Sequence, residues 1–247
     1  MKTPPLLAAI LITIAAAWSG ACGSDSETKV EAPVEDEPHQ AGPQTCFTPE
    51  GHSGSPQTID EVVSLLNALP KPVSVPCLLE TLARPLAMEA SSDDFSFQPA
   101  FGRANPRLLI FTGGLTITVV PKGHGSQVVE FGEHRGPGST VKAELPFPVT
   151  GEIPRAAPFE RVSSAGGLST ECGFCHTGEI LDNTIDYATA HASDVLRPLP
   201  QYIVPIEDVR RQYEVCEPDV EPERCAFFDA IFGYGEVVHQ PFPEPLE

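Results

Sequence analysis

Apolar positions recur in two different periods along this chain. Val62, Leu65, Leu66 and Leu69 follow one another at helical spacing, behind a Thr58-Ile59-Asp60-Glu61 stretch of capping-box form, and Pro70 stops the run. The pattern predicts a short amphipathic helix. The prolines of residues 70–77 predict an extended segment after it. From residue 93 to 150 the period shortens to two. Leu108-Leu109-Ile110-Phe111 is an apolar run, Gly113-Gly114 a tight turn, and Leu115, Ile117 and Val119 alternate with Thr116 and Thr118. A second turn at residues 121–125, a strand over 127–131 and the alternation of Val141, Ala143 and Leu145 follow. Near the C-terminus Pro205 opens one helical pattern (Ile206, Val209, Tyr213, Cys216) and Pro222 another (Cys225, Phe228, Phe232, stopped by Gly233). The expected class is α+β. It consists of an antiparallel sheet, able to close into a small sandwich, with short flanking helices and a C-terminal αα-hairpin.

The N-terminus changes the picture. Lys2, an apolar run over residues 6–18 and the small residues Ser19-Gly20-Ala21 before Cys22 read as a leader spanning residues 1–21. The run is too short for a permanent membrane span. Small residues directly before a cysteine resemble the lipobox of bacterial lipoproteins, although Ser19 and Trp18 depart from its common form. The resemblance implies that Cys22 is lipidated and becomes the new N-terminus, a stable multi-chain anchor. Gly23 in the following position implies passage to the outer membrane. Residues 22–45 hold Ser24-Asp25-Ser26-Glu27 and an acidic, proline-containing stretch, and few large apolar side chains. They read as a disordered acidic tether. Two further divisions follow. Residues 46–160 form a β-rich part with one N-terminal helix. Residues 161–247 form a helical C-terminal part with a cysteine motif, packed on it.

Charge excludes some partners. Lys2 leaves with the leader, so 34 acidic side chains face 14 basic ones, a net charge of −20. That argues against nucleic acid and anionic lipid head groups and is compatible with a basic protein partner.

Candidate chemistry is concentrated in Cys172-Gly173-Phe174-Cys175-His176. Two thiols three positions apart followed by histidine resemble the haem-attachment motif of c-type cytochromes. The resemblance covers these five residues. It implies one covalent haem c held by Cys172 and Cys175, with His176 as proximal iron ligand. Gly173 is expected to let the ring lie close to the backbone. No Met follows the motif, so His191, Met88 and His239 are the candidates for the sixth position, with an open five-coordinate iron beside them. His124 and His134 read as turn histidines. Seven cysteines then divide as Cys22 on lipid, Cys172 and Cys175 on haem, and Cys46–Cys77 and Cys216–Cys225 as disulfides suited to an oxidising envelope. The whole chain resembles bacterial envelope lipoproteins carrying one such motif. The expected function is a lipid-anchored monohaem electron carrier with a redox-partner protein. Its rivals are a haem-free or zinc-stabilised binding or structural lipoprotein and a five-coordinate haem enzyme or sensor. A zinc site would need a further ligand, with His191 nearest. No Ser/His/Asp set, phosphate loop or HExxH stands in the chain.

Overall fold

A computed structural model describes residues 38–242 apart from 97 and 137. The leader, Cys22 and the first part of the tether lie outside the described residues. Thr58 caps the first helix, α1 (Ile59–Ala68), by accepting the Glu61 amide at 3.2 Å. The reciprocal half of the capping box is displaced by one residue, because the Glu61 carboxylate takes the amide of Gln57 at 2.6 Å. The free Ile59 amide is instead accepted by Glu133 at 2.7 Å. This links the helix N-terminus to the sheet and places an anion at the positive end of the helix. Ile59, Val62, Leu65 and Leu66 are buried on the inner face.

The proline-rich run expected to be extended turns helical at its end. Ser74 accepts the Cys77 amide at 3.2 Å and starts α2 (Val75–Glu80). Pro76 sits in the first turn, where a missing amide costs nothing. The Cys46–Cys77 and Cys216–Cys225 disulfides are both formed.

Five strands follow the helices as an antiparallel meander. They are β1 (Leu86–Ser91), β2 (Arg107–Phe111), β3 (Leu115–Val119), β4 (Val128–His134) and β5 (Ser139–Pro146). Gly113, at φ 91°, takes the first central position of the β2–β3 turn, a conformation that a side chain would strain. After α3 (Ala157–Val162) come β6 (Ile180–Leu181), β7 (His191–Asp194), β8 (Ile203–Val204), α4 (Ile206–Glu214), α5 (Pro222–Phe228) and β9 (Val237–His239). The spatial order is β6-β7-β5-β4-β3-β2-β1-β8, with β9 parallel to β1. The fold is α+β, as expected, but the strands make one open nine-stranded sheet and no sandwich. The reason lies in the core. Leu86, Met88, Ile110, Ile117, Phe131 and Val141 on one sheet face pack into a single cluster with α1, α2, α4 and α5, so helices occupy the place of a second sheet.

Residues on both sides of position 160 build this sheet. β7 joins the β5 edge, while β8 and β9 share the outer edge of β1. Residues 38–45, read above as tether, are bonded to the rest of the chain. His39 contacts Asp229 at 2.6 Å, the Ala41 amide donates to the Tyr213 hydroxyl at 3.2 Å, and the Thr45 amide donates to Glu80 at 2.7 Å. The tether reading does not hold for residues 38–45, and the rest of that segment lies outside the described residues. Among the described residues no helix is long and apolar enough to cross a membrane.

The Cys46–Cys77 bridge closes 31 residues that include α1. On loop-closure entropy, replacing both cysteines by serine lowers stability by about 3–4 kcal/mol. Urea denaturation of the double variant measures this as a lower midpoint, with a slope no shallower than wild type because the unbridged unfolded chain is less compact.

Candidate functional site

Strand alternation gives the sheet a second face of different chemistry. Leu109, Thr118, Glu130 and Glu144 stand in one cross-strand row, and Thr116, Gly132 and Lys142 in the next. These side chains point away from the helical core. They form the floor of a cavity of about 590 Å³, within the roughly 300–1,000 Å³ usual for ligand sites. Its walls are the motif residues Cys172, Cys175 and His176, the segment 195–199, and Phe95. Gly132 adds to the hollow, since a methyl group there would meet only Thr140, in ordinary contact.

The motif loop is shaped by short-range bonds. Thr170 caps a single 3-10 turn, Glu171–Phe174, by accepting the Gly173 amide at 3.2 Å. The Glu179 carboxylate accepts the Thr170 amide at 2.7 Å. The glycine at 173 also has a local cause. A Cβ there would run into the Glu179 carboxylate, so the open side of Gly173 is filled by this chain's own side chain. The loop is then tied to β7. Thr177 donates its hydroxyl to the Asp194 carboxylate at 2.7 Å, and the Asp194 amide donates to the Thr177 carbonyl at 2.8 Å.

His176 completes this junction, with Nδ1 lying 2.8 Å from the Asp194 carbonyl. A carbonyl can only accept, so Nδ1 carries the proton and Nε2 is left with its lone pair. Burial, with the charge of Lys142 adding to it, pushes the imidazole down to about 4, so the ring is neutral at pH 7. A neutral imidazole with Nδ1–H on a backbone carbonyl is the form in which histidine binds a metal through Nε2. Cys172 and Cys175 are not disulfide-bonded, although the other four described cysteines are. Burial pushes the Cys172 thiol up to about 11, which makes it a poor thiolate and argues against a redox-exchange CxxC pair. Two free thiols and one oriented neutral histidine thus stand together on the wall of a ligand-sized cavity.

The floor supplies charge. Burial pushes the Glu130 carboxyl up to about 7, with Arg107 opposing the shift and Glu144 reinforcing it. Lys142 is pushed down to about 8, again by burial. Arg161 pairs with Glu144 at 2.9 Å. These floor residues were not singled out in the sequence. Glu130, Lys142 and Glu144 alternate with apolar neighbours, and such a pattern equally describes a strand face open to water.

The other candidates lie apart from the cavity. Met88 is fully buried on the core face of β1. His239 sits on β9, half-exposed and 3.8 Å from Glu89. His191 is buried on β7, its Nδ1 without a partner, and is not among the residues lining the cavity. His134 lies within β4, 3.2 Å from Thr116 Oγ1, and His124 in an exposed turn. Among the described residues no three His, Cys, Asp or Glu side chains gather to hold a metal ion, so a zinc site has no donor set there. No family model, curated protein or solved structure matches this chain.

Glu130 carries a pH signature. The unfolded chain releases this proton near 4.5 and the folded chain holds it to about 7. Between those values the native state binds the extra proton, so this carboxyl costs stability as pH rises. Glu130→Gln removes that slope. Relative to wild type it is stabilised on the order of 2 kcal/mol more at pH 7.5 than at pH 4.5, as read from paired denaturation curves.

Proposed function

We propose that this protein is a lipid-anchored, monohaem c-type protein of the bacterial cell envelope that passes single electrons. One observation carries the reading. The two unpaired thiols of Cys172 and Cys175 and the neutral His176, its Nδ1 occupied by Asp194, line the same cavity. In this reading the Cys172 and Cys175 thiols would hold the haem covalently and His176 Nε2 would supply a ligand to its iron. When bound, the haem supplies a one-electron iron couple. The protein's part is to orient the imidazole, hold its tautomer and limit water around the site. The N-terminal lipid on Cys22 would keep the domain at the membrane, facing a partner protein that gives or takes the electron.

A second reading is favoured by the cavity lining. Apart from His176, no histidine or methionine lines it among the described residues. The iron would then keep its sixth position open to a small ligand, as in a haem enzyme or sensor. Lys142 and Glu130 on the floor supply polar groups for such a ligand.

Export from a host with cytochrome-maturation machinery tests both. Wild-type protein is expected to stain for covalent haem on a denaturing gel and to show a Soret band. Cys172→Ala combined with Cys175→Ala is expected to lose the stain entirely. Carbon monoxide added to the reduced protein shifts the Soret band if the sixth position is open, and leaves it in place if a strong protein ligand fills it. Wild-type protein without haem ends the proposal.

A further inference from the structure

We infer that Lys142 is a positioning residue that sets the electron-donating strength of His176 by sharing its hydrogen-bond acceptor. The inference rests on the haem reading above. β5 and β7 are neighbours, with Thr140 opposite Ser193 and Ser139 opposite Asp194. The Lys142 ammonium donates to the Thr140 hydroxyl and, at 3.5 Å, to the Asp194 carbonyl. That same carbonyl takes the His176 Nδ1–H at 2.8 Å. A carbonyl oxygen has two lone pairs and can serve both donors. The two bonds are not independent. A hydrogen bond from Nδ1 to a basic acceptor pushes electron density toward Nε2 and makes the histidine a stronger ligand. An ammonium on the same oxygen draws that density away and weakens the push.

The ammonium also acts directly through space. Lys142 is buried, so its charge is screened less than a surface charge. Burial lowers its pKa to about 8 against the support of Cys172, Asp194 and Glu130, so most of it is charged at pH 7. A nearby positive charge favours the reduced, more electron-rich state of a metal centre. Both effects have one sign, so Lys142 raises the reduction potential. Its role is distinct from that of Thr177, Thr170 and Glu179, which hold the loop and carry no positive charge.

The test is a spectroelectrochemical titration of the haem-loaded, exported protein at pH 7. Lys142→Met keeps the length and loses the charge. Lys142→Gln keeps a donor for Asp194 and loses the charge. Lys142→Arg keeps both donor and charge. Met and Gln variants are expected at a more negative midpoint than wild type, with Arg close to wild type. A role confined to packing would move thermal stability and leave the midpoint where it is. Met and Gln variants with an intact Soret band and a wild-type midpoint overturn the inference alone. Wild-type protein with no Soret band overturns the haem reading, and this inference with it.

Discussion

The pairing of β5 with β7 is the constraint on which the site depends. Three register pairs, Ser139 with Asp194, Thr140 with Ser193 and Val141 with Ala192, bring the segment after the motif onto the sheet. Asp194 is the junction. Its carbonyl, carboxylate and amide bond to His176 Nδ1, the Thr177 hydroxyl and the Thr177 carbonyl respectively. Without this edge the motif would be one more surface turn, and its histidine would have neither a fixed tautomer nor a wall to line. The cost of ordering such a loop is on the order of 1–2 kcal/mol per residue, so it needs this many partners to stay in one place.

The sheet reconciles two opposed demands. Its core face is apolar apart from Glu133, which bonds the start of α1, and is closed by helices; each fully buried aliphatic side chain there contributes roughly 1.5–3 kcal/mol. Its other face carries Glu130, Lys142, Glu144 and Arg107, which would be costly to bury without partners. The molecule leaves that face partly hollow. Glu130 and Lys142 respond by shifting their protonation toward neutral forms, the ordinary answer of a charge kept from bulk water. A hollow with displaced ionisation equilibria, walled by His176 and two free thiols, is a candidate functional surface.

The described N-terminal end is part of this economy. Residues 38–45 bind α2 and the C-terminal helices through His39, Ala41 and Thr45. These contacts all lie on the helical side of the sheet. The cavity and motif lie on the sheet's other face.

Several features were legible in the residues alone. The α1 cap, the glycine turn at 113, the alternation through β2 to β5 and both disulfides follow from local rules: a hydroxyl before a helix, a backbone angle only glycine accepts, a period of two, and cysteine pairs flanking helices. The tertiary structure decided everything that depends on contacts between distant segments. It formed one open sheet in place of a sandwich, because helices cover the core face. It placed Met88 on the far side of the sheet from the cavity, and it filled the space beside Gly173 with Glu179. It also brought Lys142 and His176 to a single carbonyl, although they are 34 positions apart. A one-dimensional pattern records which face a side chain takes, but only the fold decides what stands opposite that face.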